Sequence, residues 1–271
     1  MRILFVGDIV GRPGRRALSV ALPTLVQQHA IDFTVANGEN AAGGMGITAK
    51  VAQELLSAGV DVITMGNHVW KNKDAIEAVQ QQSRLIRPAN YPPGVPGRGD
   101  GVFDTRAGAS VGVVNICGRT FMEALDCPFR VVEEAVVRMR EQAPICLVDM
   151  HAEATSEKQA MGWFLDGRVS AVIGTHTHVQ TADEQVLPKG TAYITDVGMT
   201  GPKNSILGMD PESILRRFIT RMPVKFEVTG GPVLLSAVVV DVEEETGRAR
   251  SIFRVQQEVP EAENISEPAG E

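Results

Sequence analysis

The sequence predicts an α/β fold, on three observations. Short apolar runs alternate with amphipathic helical stretches along most of the chain. Several of those runs end abruptly in Asp, Glu, Asn or His, and two β-branched runs joined by a turn lie near the C-terminus. With 271 residues, 44% of them hydrophobic, the chain can bury a full core without disulfides.

The first run, residues 3–6, is broken by Asp8 too early to be the apolar core of a signal peptide, and reads as a buried strand. A helix follows over 13–28, with Pro13 at its first position, where the missing N–H costs nothing, and Leu18, Leu22 and Leu25 on one face. Further strands are expected at 33–36, 62–65, 111–116, 145–150, 171–173 and 192–195. Helices are expected at 48–58, 72–82, 129–140 and 155–165. Residues 87–100, rich in proline and glycine, form a long surface loop. Residues 232–242 and 248–257, joined by the turn-like Glu243-Glu244-Glu245-Thr246-Gly247, form an antiparallel hairpin and point to a second sheet. Residues 198–225, with a helix from Asp210, form a small cap or part of the main domain. One domain is assigned to 1–258, and the acidic segment 259–271 to a flexible tail.

A net charge of −7 argues against a protein that coats duplex nucleic acid, which needs a basic face to neutralise phosphates. Cys117, Cys127 and Cys146 form no CxxC pair, as expected of buried free thiols in a reducing compartment. No run approaches the roughly 18 apolar residues of a membrane span, so a cytoplasmic protein without membrane contact is expected. Homo-oligomerisation is left open.

Function is carried by what stands at the strand ends. Asp8 ends the first strand, Glu39 and Asn40 follow the second, and Asn67 and His68 follow the third. Two later strands end in His151 and in His176-Thr177-His178. In open α/β sheets the ligand crevice lies outside the carboxyl ends of the strands, so five segments converge on one place. Each alone has a bland reading: Asp8 as a turn or cap, Gly38-Glu39-Asn40 as a turn, Asn67-His68 as a cap, His151 as a satisfied core histidine. Jointly those readings fare worse, because four of the five histidines lie at these ends and only His29, at the close of the first helix, lies elsewhere.

Carboxylates, carboxamides and imidazoles without cysteine suit Mn²⁺, Fe or Mg²⁺ rather than a thiolate zinc site. Seven ligands, namely Asp8, Glu39, Asn40, Asn67, His151, His176 and His178, are too many for one catalytic ion and suit two, with Glu39 as the natural bridge. Two ions about 3.5 to 4 Å apart activate a bridging water and clamp a phosphoryl group for in-line displacement. His68, beside Asn67 but not required as a ligand, is placed to protonate the leaving group. The glycine-rich residues 7–15 lack both the Lys-Ser/Thr pair of a P-loop and the GxGxxG spacing. Arg12, Arg15 and Arg16 are either phosphate contacts or solvated, and residues 41–46 either let the backbone approach the site or make a tight loop.

Gly7-Asp8, Gly38-Glu39-Asn40, Gly66-Asn67-His68, His151 and Gly174-Thr175-His176-Thr177-His178 together resemble the calcineurin-like binuclear metallophosphoesterases, and GDIVGRPGR, NGENAAGG, GNHVW and GTHTHVQTADE resemble their YmdB-like branch. The chain departs from the broader pattern at Val10, where an Asp-x-His motif would place histidine, and at Gly38-Glu39, where a second Gly-Asp would stand. The resemblance implies a four-layer αββα sandwich of two mixed sheets flanked by helices. It implies Asp8, Glu39, Asn40 and His178 around one metal, Glu39, Asn67, His151 and His176 around the other, and His68 as proton donor. Two divalent or mixed-valence ions, iron or manganese, and phosphodiesterase activity on cyclic nucleotides of the 2′,3′-cyclic AMP type are implied with it. The competing readings are a metal- or nucleotide-binding regulatory protein with little turnover and a binuclear amidohydrolase. The latter usually carries its His-x-His on the first strand, whereas here it is late.

Overall fold

Side chains alternate faces along a strand, and β1 (Arg2–Val6) sorts its residues accordingly: Ile3 and Phe5 enter one core, Leu4 and Val6 another. In the computed structural model, which describes residues 1–260, this sorting recurs on both sheets and builds four layers. In chain order β1 is followed by β2 (Asp8–Ile9), α1 (Gly11–His29), β3 (Phe33–Asn37), α2 (Ala49–Ser57), β4 (Val62–Thr64), α3 (Ala75–Gln81) and β5 (Leu85–Ile86). Next come β6 (Asp100–Asp104), β7 (Ser110–Cys117), α4 (Pro128–Arg140), β8 (Ile145–His151), α5 (Thr155–Leu165), β9 (Ala171–Thr175), β10 (Gln185–Val186) and β11 (Ala192–Ile194). The chain ends with β12 (Met199–Pro202), α6 (Pro211–Thr220), β13 (Val233–Val242) and β14 (Ala249–Val259).

The first sheet has the order β2-β12-β13-β1-β3-β4-β5, with β14 paired to β13, and the second has the order β10-β11-β9-β8-β7-β6. Within them β1, β3, β4 and β5 run parallel, as do β7, β8, β9 and β11. Ile3, Phe5, Phe33 and Val62 of one sheet and Val111, Val113, Leu147 and Ile173 of the other fill the apolar layer between the sheets. Leu18, Leu22 and Leu25 of α1 and Leu55 of α2 cover the outer face of the first sheet. Val132 and Met139 of α4 and Met161 and Leu165 of α5 cover that of the second. The expected αββα sandwich is what forms.

Several local expectations are corrected. α1 begins at Gly11, which adopts φ +59°, so Pro13 is its third residue rather than its first. Residues 67–74 form turns, and α3 begins only at Ala75, so Asn67 and His68 cap no helix. The C-terminal hairpin is β13 and β14, but β13 pairs with β1 and so extends the first sheet; the second is made by the central strands. Strand β14 runs through Val259, one residue into the segment read as a tail, and the rest of that segment beyond Pro260 lies outside the described residues. Of the segment read as a cap, β12 belongs to the first sheet, pairing with β13 and β2, whereas α6 buries only Ile214. No helix among the described residues is long and apolar enough to cross a membrane.

Candidate metal centre

Parallel strands end on the same side, and the two sheets bring their carboxyl ends together. Gly66 sits where they meet. Any Cβ at Gly66 would fall inside the van der Waals shells of Glu39 Oε2 and His151 Nε2, so only glycine lets the turn after β4 pass between them.

From that junction the contacts link all eight sequence-derived residues, seven of them in a closed circuit from which Asn67 branches at His151. His151 Nε2 lies 3.2 Å from Glu39 Oε2, 3.0 Å from Asn67 Oδ1 and 3.1 Å from His176 Nδ1. The backbone N–H of His176 donates to Asp8 Oδ2 at 3.2 Å, and Asp8 Oδ1 lies 3.8 Å from His178 Nε2. His178 Nε2 is 3.1 Å from Asn40 Nδ2, which also donates to Glu39 Oε1 at 3.2 Å. His68 closes the ring: its backbone N–H donates to Glu39 Oε2 at 3.1 Å, and its Nδ1 lies 2.8 Å from Asn40 Oδ1 and 3.3 Å from Glu39 Oε1.

Glu39 therefore touches both halves of the cluster, through Oε2 to His151 and through Oε1 to Asn40 and His68. Asn40 holds its amide nitrogen toward Glu39 and His178 and its oxygen toward His68. A carboxamide ligates a cation only through oxygen, so in this orientation Asn40 braces two histidines; a half-turn of the amide exchanges the two atoms.

The donor set fits a cation. Asp8 Oδ1 is buried without a hydrogen-bond partner, and ligand atoms of Glu39, His151 and His176 lie within 4.8 Å of one another. Burial pushes the Asp8 carboxyl well above its ordinary range. Burial pushes Glu39 the same way, but the charge and hydrogen bonds of His151 and His68 prevail and hold it well below. His151 loses by burial and gains more from Glu39, Asp8 and Asp149, reaching about 9. Burial, then the neighbouring His151, drives His176 down to about 3, and burial lowers His178 as well. Two imidazoles are thus kept neutral with lone pairs available, among carboxylates that a cation would compensate.

A second layer was not anticipated from the sequence. Asp149, wholly buried in β8, accepts from Asn37 Nδ2 at 3.0 Å, Thr64 Oγ1 at 2.5 Å and Thr175 Oγ1 at 2.6 Å. Thr175 Oγ1 also lies 2.8 Å from His151 Nδ1. Because Thr175 gives its proton to Asp149, it accepts from His151 Nδ1, which fixes the ring and turns Nε2 toward the cluster. On the other ring Glu153 Oε2 lies 3.2 Å from His176 Nε2, the nitrogen turned away from the cluster. Asp149 had a legible signal, since it lies two residues before His151 in a strand and so shares its face. Arg15 proves structural: it donates to Ala41 O at 2.6 Å and to Glu54 Oε2 at 3.0 Å, pinning the loop after Asn40. In the 41–46 loop Gly44 packs against Met209 and Val228, which lie on either side of α6 in the chain.

A sandwich of two mixed sheets with a carboxylate and imidazole cluster at their joined carboxyl ends is the architecture of the metallophosphoesterase class. The YmdB-like protein family matches residues 4–255, and the chain belongs to it. It is 50% identical over 255 residues to a 2′,3′-cyclic-nucleotide 2′-phosphodiesterase of Bacillus subtilis, covering 94% of this chain and 96% of that one. Among solved structures, a hypothetical protein from Thermus thermophilus superposes with a TM-score of 0.89 at 43% identity, covering 96% of this chain and all of that one. A novel phosphatase of Mycoplasma pneumoniae superposes with a TM-score of 0.89 at 33% identity, covering 96% of this chain and 94% of that chain.

Proposed function

We propose that this protein is a two-metal phosphodiesterase that hydrolyses small phosphodiesters, 2′,3′-cyclic nucleotides in particular. The observation that carries the reading is the position of Glu39, one oxygen against His151 and the other against Asn40 and His68. Glu39, Asn67, His151 and His176 would hold one ion, and Asp8, Glu39, Asn40 and His178 the other. The absence of thiolate from this set favours iron or manganese. Bound there, the ions supply an activated water and neutralise charge on the phosphoryl oxygens.

The protein's own residues do the rest. Buried Asp149 and Thr175 orient His151 toward the ions, and Glu153 orients His176. His68 is anchored through Nδ1 to Asn40 and Glu39, and as an imidazolium it would hold its second proton on Nε2 and give it to the alkoxide as the ester bond breaks. The relative from Bacillus subtilis, which carries this substrate class in its name, supports the cyclic nucleotide assignment.

The test is to strip the protein with a chelator, reload it with Mn²⁺ or Fe²⁺, and follow 2′,3′-cyclic AMP. Metal-dependent opening of the ring is expected. A fully loaded protein that leaves this and other phosphodiesters intact contradicts the proposal.

A further inference from the structure

Lys158 of α5 is 1% exposed, and its Nζ lies 2.7 Å from Oδ2 of the wholly buried Asp196. An ion pair in such a place is a poor source of stability, because both charges lose their hydration and an apolar pair of similar size often does as well. The neighbours of Asp196 indicate what the pair is for. Its Oδ2 also accepts from the backbone N–H of Thr177 at 2.9 Å and from Thr177 Oγ1 at 2.7 Å, while Oδ1 accepts from Gly198 N–H at 2.8 Å.

One partner lies in a segment that carries cluster residues and the other is bonded to one. Thr177 lies between His176 and His178, which adopt φ +98° and +66°. Side-chain-bearing residues avoid that left-handed region unless the surroundings hold them there. Gly198 accepts from the backbone N–H of Asp8 at 3.1 Å through its carbonyl, and Asp8 Oδ2 in turn receives His176 N–H at 3.2 Å. One carboxylate therefore ties down the histidine loop and the Asp8 strand together. Four donors converge on its two oxygens, namely Lys158 Nζ, the Thr177 N–H and hydroxyl, and the Gly198 N–H, and Lys158 brings a positive charge opposite the carboxylate. The lysine stem reaches Asp196 past Gly174, where any Cβ would crowd it and overlap the carbonyl of Thr195.

We infer that Asp196, paired with Lys158, is the positioning residue that keeps His176, His178 and Asp8 in ligating geometry. The inference rests on the metal-centre reading above. Asp196 acts through Thr177 and Gly198, so its loss is expected in metal affinity ahead of substrate affinity.

The experiment measures Mn²⁺ dissociation constants by competition with a chromogenic chelator, alongside the Tm of each metal-free protein. Asp196→Asn is expected to bind Mn²⁺ about 10- to 100-fold more weakly, the usual effect of losing a group that orients ligands. The double variant Lys158→Met/Asp196→Asn removes both buried charges. It should recover metal-free Tm relative to Asp196→Asn while leaving affinity low. Thr177→Val spares the ion pair, breaks only the hydroxyl bond, and should weaken Mn²⁺ binding severalfold at unchanged metal-free Tm; it decides the matter if the Asp196 variants fail to fold. Wild-type affinity in Thr177→Val and in every Asp196 variant that folds overturns the inference, as does affinity that returns together with Tm in the double variant. A wild-type protein that takes up no Mn²⁺ at all would instead refute the metal-centre reading.

Discussion

His151 Nε2 and His176 Nδ1 face each other at 3.1 Å, and each ring has its outward nitrogen engaged, His151 Nδ1 with Thr175 and His176 Nε2 with Glu153. The rings meet edge to face at 66°, with centroids 4.7 Å apart. Both inward nitrogens therefore lie beside Glu39, and each ring is oriented by a residue outside the cluster.

Thr175→Val tests this orientation. Valine keeps the β-branched shape but leaves His151 Nδ1 and one oxygen of Asp149 without their shared partner. Metal affinity should fall about 10- to 100-fold, and stability by about 1 to 3 kcal/mol from the unsatisfied buried groups. Chelator competition and urea unfolding read the two effects separately.

His68→Ala separates proton donation from metal binding. We expect metal content to be retained and turnover of 2′,3′-cyclic AMP to drop about 10²- to 10⁴-fold, the usual share of a general acid. A leaving group that needs no proton, such as nitrophenolate, should be released with a much smaller loss. An equal loss on both substrates would remove His68 from that role.

Gly66→Ala adds a single methyl group at the junction of the sheets, against Glu39 and His151. Neither neighbour is the far end of a free side chain, so the cluster must open. Overpacking of this kind costs about 1 to 3 kcal/mol, and metal binding should be lost with it. A variant that binds metal like the wild type would show that the turn has slack.

Asp183 gives a pH dependence. Burial raises its carboxyl, but hydrogen bonds from Thr181 and Thr195 outweigh burial and hold it below the ordinary carboxylate value. Its stabilising contribution is therefore fully present above the unfolded value of about 3.9 and is lost as pH falls through the lower folded value. Urea unfolding at descending pH should show wild type and Asp183→Asn differing near neutrality and converging below about pH 4. A constant difference over the whole range would mean the asparagine acts by other means.

The sequence made much of this legible because α/β sandwiches advertise themselves. Buried parallel strands read as unbroken apolar runs, and β8 and β9 end at His151 and Thr175, close to where their runs stop. The eight cluster residues were legible because polar side chains at such ends have few other reasons to recur. What escaped was whatever depends on partners far along the chain. Lys158 reads as an ordinary helix lysine, and only the meeting of α5 with Asp196 buries it. Strand β2 is two residues long, and pairing with β12 some 190 residues later defines it. The hairpin is legible as a hairpin but its sheet is not, because local pairing carries no information about which edge it joins.

The central claim is that Glu39 stands between two metal ions. Crystals of the manganese-loaded protein, measured at the manganese absorption edge, test it most directly through the anomalous difference map. The account predicts two peaks about 3.5 to 4 Å apart, one on each side of the Glu39 carboxylate, with His151 and His176 at the first and Asp8 and His178 at the second. A single peak, or two peaks that do not share Glu39, would contradict it.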